Sequence, residues 1–226
     1  MSWVVKKFIL IFITIFSLIS FLTQANAKNI SILIIGQSIS SNCNEYKYAA
    51  INNIYQIDLQ GNRIPAKDPF VWADCRGGSM WMPLGDMMIK NKMADEVTFM
   101  PIGVGGTSVN DYQPSGRAYP KLLQAISIIK TKKIKFDYIF WHQGSSDIGM
   151  NPIIYKQRFL SLVSQINKLG DLRSSKWIIA RHSKCYDKID KNIWKVQTEL
   201  GGEDNYFRFF LGPDTNVLDN SYRFDT

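Results

Sequence analysis

Short apolar runs recur along the chain from residue 30 onward, and each run ends at a glycine or at polar residues. β-branched and aromatic side chains fill these runs almost without interruption, which is typical of strands buried on both faces of a parallel sheet. The pattern predicts five strands, of which the last has the weakest pattern: 30–35, 96–102, 136–141, 176–180 and 206–211.

Helical periodicity fills the intervals between the strands. Apolar residues at three- and four-residue spacing predict four helices, over residues 81–93, 119–129, 153–169 and 187–200. Because strands that alternate with helices form a parallel sheet covered by those helices, the chain is predicted to be an α/β domain with about five parallel strands. Residues 43–79 do not follow the alternation, and their glycines and prolines predict a long loop region on top of the sheet.

The first 27 residues have the composition of a secretory signal peptide. Lys6 and Lys7 precede an apolar run over residues 8–22, and Ala25-Asn26-Ala27 is the small-x-small pattern after which signal peptidase cuts. We therefore expect a secreted or periplasmic protein whose single domain covers residues 28–226. The alternative is an uncleaved membrane anchor, for which 15 apolar residues are short against ~30 Å of hydrocarbon.

Composition and charge narrow the function classes. The 226 residues are 46% apolar and 20% charged, which suits a globular domain and excludes a disordered or collagen-like chain. The formal net charge is +8, but its one dense cluster, residues 130–135, fits the C-terminal end of a helix. We expect no nucleic-acid partner, because the sequence has no stripe of interleaved arginine and aromatic residues, and no stable membrane insertion once the signal peptide is removed.

Three cysteines, Cys43, Cys75 and Cys185, leave one thiol over after a single disulfide. An exported chain can form disulfides, and a bond between Cys43 and Cys75 would join two loops, although the sequence leaves the pairing open. The chain has no Cys-x-x-Cys motif and no histidine-rich spacing, so we do not expect a structural zinc ion.

Polar residues and glycines follow three of the predicted strands, at the edge of a parallel sheet where ligands bind. Ser38 ends Gly36-Gln37-Ser38, where a turn can expose its hydroxyl; the Gly-x-Ser-x-Gly signature of α/β-hydrolases fails, because position 40 is serine. Gly105 and Gly106 follow the second strand, and paired glycines let backbone N–H groups approach a ligand closely. Gln143 follows the third strand, where a side-chain amide can donate to an oxyanion. Each of these features, taken alone, also occurs in ordinary turns and loops.

Taken together, these segments resemble the SGNH hydrolase superfamily, and most closely its sialate O-acetylesterase-like branch of carbohydrate esterases. The matching motifs are Gly36-Gln37-Ser38-Ile39, Gly105-Gly106-Thr107-Ser108 and Trp141-His142-Gln143-Gly144-Ser145-Ser146-Asp147. Two positions depart from the family's motifs, since Ile39 replaces an asparagine and Ser145 replaces a glutamate. The resemblance covers essentially all of residues 30–226, and it implies a three-layer α/β/α sandwich of the SGNH, flavodoxin-like kind.

The resemblance also implies a serine esterase mechanism that needs neither a metal nor an organic cofactor. Ser38 would attack an acetyl ester of a saccharide. The backbone N–H groups of Ser38 and of Gly105 or Gly106, together with the Gln143 side chain, would hold the oxyanion. An acyl-enzyme would form, and water would then release acetate.

The general base is the point at which the sequence departs most from the family. The family carries Asp-x-x-His near its C-terminus; Asp225 matches the carboxylate, and the histidine would fall two residues beyond Thr226. We therefore expect a domain truncated at its C-terminal end, with little esterase activity in a chain that stops at Thr226. The chain's two histidines, His182 and His142, are the candidates for a substitute base.

Two other functions fit the same motifs. A non-catalytic glycan-binding module would keep the cleft without the chemistry, and an O-acetyltransferase would pass the acetyl group to a sugar hydroxyl instead of to water. Four aromatic residues are candidates for stacking on a sugar, with core packing as the alternative: Trp72, Trp81, Tyr112 and Trp141. The sequence leaves the sugar, the acetyl position and the oligomeric state open.

Overall fold

Strands and helices alternate through residues 28–202 and 208–217, the part of the chain that the computed structural model describes. The strands are β1 (Asn29–Gly36), β2 (Ile54–Ile57), β3 (Arg63–Pro65), β4 (Glu96–Pro101), β5 (Tyr138–His142), β6 (Lys176–Arg181), β7 (Lys184–Cys185), β8 (Lys188–Ile189) and β9 (Phe209–Asp214). The helices are α1 (Trp81–Lys90), α2 (Tyr119–Lys132), α3 (Pro152–Gly170) and α4 (Lys191–Gly202). Within these described ranges, no helix combines the length and the apolar character needed to cross a membrane.

Seven strands form the central sheet, in the order β3-β2-β4-β1-β5-β6-β9. Every neighbouring pair is parallel except β2 with β3. β7 and β8 form a separate antiparallel hairpin. The predicted parallel α/β architecture is confirmed, and the central sheet has two strands more than the five predicted.

β1 lies at the centre of the sheet, and its alternating side chains divide the core into two layers. Ile32 and Ile34 face one side, where they belong to the same buried cluster as Trp81 of α1. Leu33 and Ile35 face the other side, in the cluster that α2, α3 and α4 cover. Because helices cover both faces, the fold is the predicted α/β/α sandwich.

Residues 43–79 are not the continuous loop that was predicted, because β2 and β3 lie within them. The two strands are joined by a turn in which Asp58 N–H donates to the Asn62 carbonyl at 2.9 Å. Gly61 adopts φ +80° in this turn, a conformation that favours glycine. Strands of four and three residues are too short for a two-residue period to stand out in the sequence, so the turn residues were the only signal.

Several element boundaries differ from the predicted ones by one to four residues, and two of these differences have a local cause. β9 extends to Asp214 instead of ending at residue 211, and it accommodates Pro213 because it is an edge strand. Residues 206–207, which the prediction included in this strand, lie outside the described residues. α4 begins at Lys191 rather than at residue 187, because the preceding residues form the β7–β8 hairpin.

The four aromatic residues considered for sugar stacking lie in the core. Trp72, Trp81, Tyr112 and Trp141 are each at most 2% exposed. The stacking hypothesis is therefore wrong for all four, because their rings fill the space between the sheet and its covering elements. Their burial supports the fold and leaves sugar recognition to other side chains.

Candidate active site

β1 ends in a tight turn that leaves Ser38 half-buried. Gly36 pairs with His142 across β1 and β5, and Gln37 N–H donates to the His142 carbonyl at 3.1 Å. A Cβ on Gly36 would lie 2.1 Å from that carbonyl oxygen, so only glycine fits there. The turn is closed by Ser41 N–H, which donates to the Ser38 carbonyl at 2.9 Å. These backbone bonds fix the position of the Ser38 side chain at the carboxyl edge of the sheet.

The glycine pair follows β4 and faces this turn. Val104 N–H donates to the Gly36 carbonyl at 2.9 Å, which holds the loop after β4 against the end of β1. A Cβ placed on Gly105 would lie 3.9 Å from Ser38 Cβ, so this glycine lies directly beside the serine. Gly106 has φ +63°, in the left-handed region that favours glycine. The structure therefore brings the two glycines and Ser38 together.

Gln143 lies behind these loops, where it is fully buried. Its Nε2 donates to the Thr107 carbonyl at 2.9 Å and to the Asp147 carboxylate, and its oxygen has no partner within the described residues. Asp147 is 2% exposed and also accepts from Val109 N–H at 3.1 Å. Burial raises the pKa of Asp147 to about 6, although the hydrogen bonds from Gln143 and Val109 act in the opposite direction. Gln143 and Asp147 together connect the loops that follow β4 and β5.

The two histidines share one hydroxyl group, that of the half-buried Thr215. His142 is fully buried, His182 is 2% exposed, and their ring centroids lie 4.7 Å apart. His142 Nε2 lies 3.1 Å from Thr215 Oγ1, and His182 Nδ1 lies 3.0 Å from the same oxygen. Because Thr215 donates its own proton to the Arg181 carbonyl, both ring nitrogens are donors to Thr215. Burial, followed by the charge of the nearby His182, lowers the pKa of His142 well below its ordinary value.

The residues predicted for the site thus divide into groups. Ser38, Gly105 and Gly106 lie together at an accessible edge, and Gln143 contacts their loops from behind. Within the described residues, no hydrogen bond joins either histidine to Ser38. Asp225 lies outside the described residues. In the same described ranges, no group of three or more His, Cys, Asp or Glu side chains is placed to hold a metal ion.

A family model of carbohydrate esterases, the sialic acid-specific acetylesterases, matches residues 32–206. The chain belongs to this family. Membership confirms the resemblance drawn from the three motifs, and it makes the protein a carboxylic ester hydrolase of the acetylesterase type. A comparison with curated protein sequences found no match.

Three solved structures share the fold of this esterase at low sequence identity. A protein from Arabidopsis thaliana has a TM-score of 0.66 at 13% identity, covering 87% of this chain and 90% of its own. NanS has a TM-score of 0.58 at 11% identity, covering 83% and 78%. The carbohydrate acetylesterase XAC1771 from Xanthomonas citri has a TM-score of 0.53 at 8% identity, covering 84% and 50%. At these identities the likeness establishes the fold alone.

Sequence reasoning assigned no role to Gln37, which locks two loops of the esterase together. This side chain is 4% exposed; its Oε1 accepts from Gly144 N–H at 3.1 Å, and its Nε2 donates to Ser145 Oγ. Ser145, whose hydroxyl accepts this bond, is the position at which the sequence departs from the glutamate of the family's motif. The available signal was a glutamine directly before the serine, at the end of a strand that is mostly apolar.

A disulfide fastens the loop before α1 to the esterase site. Cys43 and Cys75 are bonded, with their Cα atoms 4.9 Å apart, whereas Cys185 is a half-buried free thiol. Cys75 N–H donates to the Ser41 carbonyl at 3.1 Å, so the bonded loop reaches the turn that contains Ser38. Sequence spacing left this pairing open, because it does not tell which cysteines approach within bonding distance.

Proposed function

We propose that this chain is an exported serine esterase that removes O-acetyl groups from carbohydrate, with Ser38 as its nucleophile. The observation that carries the proposal is the placement of Ser38, half-buried at the carboxyl edge of the sheet and directly beside Gly105. Ligands of open parallel sheets bind at this edge, and esterase chemistry needs a hydroxyl next to hydrogen-bond donors there.

In the proposed reaction, Ser38 Oγ attacks the carbonyl carbon of the acetyl ester while a general base takes the hydroxyl proton. The base then gives this proton to the departing sugar oxygen, and water hydrolyses the acetyl-enzyme to acetate. The N–H groups of Ser38 and of Gly105 or Gly106 hold the oxyanion. Gln143 Nε2, which donates to the Thr107 carbonyl in the free protein, becomes the third donor when its hydrogen bond moves to the oxyanion.

We assign the general base to the histidine of the Asp-x-x-His pattern that begins at Asp225. This assignment rests on the family resemblance, and the burial of the other histidines supports it. His142 and His182 are both buried against Thr215 Oγ1, and within the described residues neither forms a hydrogen bond with Ser38. β9 ends at the same edge of the sheet as β1, so the chain that follows it starts on the correct side.

We also propose export through a cleaved signal peptide that ends at Ala27, leaving a mature chain that begins at Lys28 and placing the protein in the periplasm or outside the cell. Two observations support this. β1 begins at Asn29, so cleavage there removes nothing from the described sheet. The Cys43–Cys75 disulfide fits an oxidising compartment. Mass spectrometry of protein recovered from the producing cell tests the cleavage, with Lys28 expected as the first residue.

Acetate release by the full gene product tests the proposed reaction. The substrates are an aryl acetate and an O-acetylated oligosaccharide, and the variant is Ser38→Ala, with the exposed Ser146→Ala as a matched control. We expect Ser38→Ala to lose at least about 10³-fold in kcat and Ser146→Ala to retain the rate. Equal rates for both variants would exclude Ser38 as the nucleophile.

The same assay separates the two alternative functions. Binding of the oligosaccharide without acetate release would indicate a glycan-binding module. Transfer of the acetyl group to an added sugar acceptor, in preference to water, would indicate an O-acetyltransferase. We expect free acetate to account for all the acetyl groups that leave the substrate.

A further inference from the structure

The Asp74 carboxylate accepts a hydrogen bond from the Gly105 N–H, which the proposed mechanism assigns to the oxyanion. Asp74 Oδ2 accepts from Gly105 N–H at 2.8 Å. A Cβ built on Gly105 would lie 3.1 Å from this carboxylate oxygen and 3.9 Å from Ser38 Cβ, so the carboxylate and the serine flank the same glycine. An oxyanion donor works at 2.7–3.1 Å from the oxyanion. The carboxylate therefore stands where the substrate's developing oxyanion would bind Gly105.

The backbone of Asp74 is fixed to the turn that carries Ser38. Asp74 N–H donates to Ser41 Oγ at 2.9 Å, and the same hydroxyl donates to the Gly103 carbonyl at 2.7 Å. The next residue, Cys75, is joined by its disulfide to Cys43. These links hold the start of the Asp74 side chain at a set distance from Gly105, whereas the carboxylate itself can rotate.

The carboxylate has little to hold it beyond this one bond. Asp74 is exposed, and within the described residues no cation lies within ion-pair distance of it. The two nearby cations are bound elsewhere: Arg117 donates to the Gly105 carbonyl at 2.6 Å and Lys121 to the Gly103 carbonyl at 2.8 Å. Water competes for an exposed carboxylate, so another acceptor can replace it on Gly105 at small cost.

We propose that Asp74 is a displaceable cap on the oxyanion hole. In the free protein its carboxylate satisfies Gly105 N–H, and the acetyl carbonyl oxygen of a substrate displaces it. Asp74 is thus a positioning residue that acts through Gly105 and controls how readily an acyl group or acetate enters beside Ser38. This inference rests on the proposed function for the role of Gly105.

Amide NMR of the full gene product tests the cap without depending on catalysis. The variants are Asp74→Ala, which removes the acceptor, and Asp74→Asn, which removes the charge but keeps an acceptor oxygen. Glu199→Ala is the control for net charge, because Glu199 is exposed on α4 and paired only with Lys195 within the described residues. We expect the Gly105 amide proton to move upfield in Asp74→Ala, and much less in Asp74→Asn or Glu199→Ala.

Acetate, the expected product, then serves as a probe of the vacated donor. We expect acetate to shift the Gly105 amide signal and to bind Asp74→Ala about five-fold or more tightly than the unmodified protein, with Asp74→Asn in between. In ester hydrolysis, Asp74→Ala is expected to lower KM and to leave kcat almost unchanged. An unmoved Gly105 signal in Asp74→Ala, or equal acetate affinities in Asp74→Ala and Glu199→Ala, would overturn the proposal. If the NMR results are as expected but no variant releases acetate from esters, the Ser38 mechanism fails and the cap stands.

Discussion

The carboxyl edge of the sheet has two unlike halves, and the difference between them indicates where the chemistry lies. The open half consists of Ser38, Gly105 and Gly106, and these residues remain accessible. The closed half consists of His142 and His182 together with the threonine they share, and both histidines are buried. Both halves contain the residue types that esterases use, so residue type alone does not identify the reactive group.

The two halves differ in which side chains hold them together. In the open half, buried polar side chains brace the loops from behind, among them Gln37 and Gln143, and this leaves the serine accessible. In the closed half, the histidines are themselves the braces, since they join the ends of β5 and β6 to Thr215 after β9. A group that carries the local structure cannot readily leave its partner to take a proton from a substrate.

The largest expected effect concerns the disulfide, which fastens the open half. Replacing Cys43 and Cys75 together by serine releases a link that spans 32 residues and is expected to lower the free energy of unfolding by about 3.5 kcal/mol. Urea unfolding of the double variant measures the loss. Cys185→Ser, at the half-buried free thiol, is the control and is expected to change stability by less than about 0.5 kcal/mol. Equal stability of the double variant and the control would contradict this role.

Truncating a histidine of the closed half is expected to have a similar but somewhat smaller effect. His142→Ala leaves a cavity where a fully buried ring packs against His182 and Phe140, and we expect a loss of about 3 kcal/mol in the free energy of unfolding. Ser38→Ala in the open half is expected to change stability by less than about 0.5 kcal/mol while abolishing activity. If His142→Ala were as stable as Ser38→Ala, the division into two halves would break down.

Acid is expected to destabilise the closed half. Burial depresses the pKa of His142 in the folded state, so the unfolded chain binds a proton near pH 6.5 while the folded protein does not. This contribution to stability is present at neutral pH and is lost as the pH falls below about 6.5, with a decrease of about 2 kcal/mol by pH 5. Urea unfolding of the unmodified protein and of His142→Gln from pH 7 to pH 5 gives the difference between their free energies of unfolding, and the pH dependence of this difference is the contribution of His142. A constant difference across this range would show that His142 titrates normally.

Asp147 bonds to Gln143 behind the open half, and its contribution to the free energy of unfolding is expected to change with acid in the opposite direction and by a smaller amount. The pKa of Asp147 is raised by burial to about 6, so the folded protein binds this proton more tightly than the unfolded chain does. Stability from this group is therefore gained as the pH falls through 6, by about 1 kcal/mol between pH 7 and pH 5. Asp147→Asn should lack this gain in the same titration. A parallel pH dependence in both proteins would refute the assignment.

Much of the fold was predictable because the apolar runs are long enough to identify buried strands. β1, β4, β5 and β6 each have at least five residues, and their order along the chain with the helices between them is that of a parallel sheet. β2 and β3 could not be found in this way, because their three or four residues carry no clear period. β3 pairs with β2 across a short turn, and β2 pairs with β4, which is distant in sequence. Periodicity does not report such pairing.

The sequence predicted those parts of the site that depend on where the strands end. It did not predict the parts that depend on which side chains are buried or in contact. Ser38 and the two glycines follow strand ends, and the ends of parallel strands share one edge of the sheet, so their meeting could be expected. The burial of His182 depends on which side chains cover it, and the contact of Asp74 with Gly105 depends on how the disulfide-bonded loop folds. The burial of His182 and the contact of Asp74 with Gly105 both depend on tertiary packing, which the pattern of strands and loops along the sequence does not show.

The most direct test of the central claim, that the reactive group lies in the open half, is active-site labelling of the full gene product with a fluorophosphonate. Intact-mass and peptide analysis identify the modified residue. The account predicts one adduct per chain, located on Ser38, and none in Ser38→Ala. Absence of an adduct from the folded protein, or an adduct on another side chain, would contradict the account.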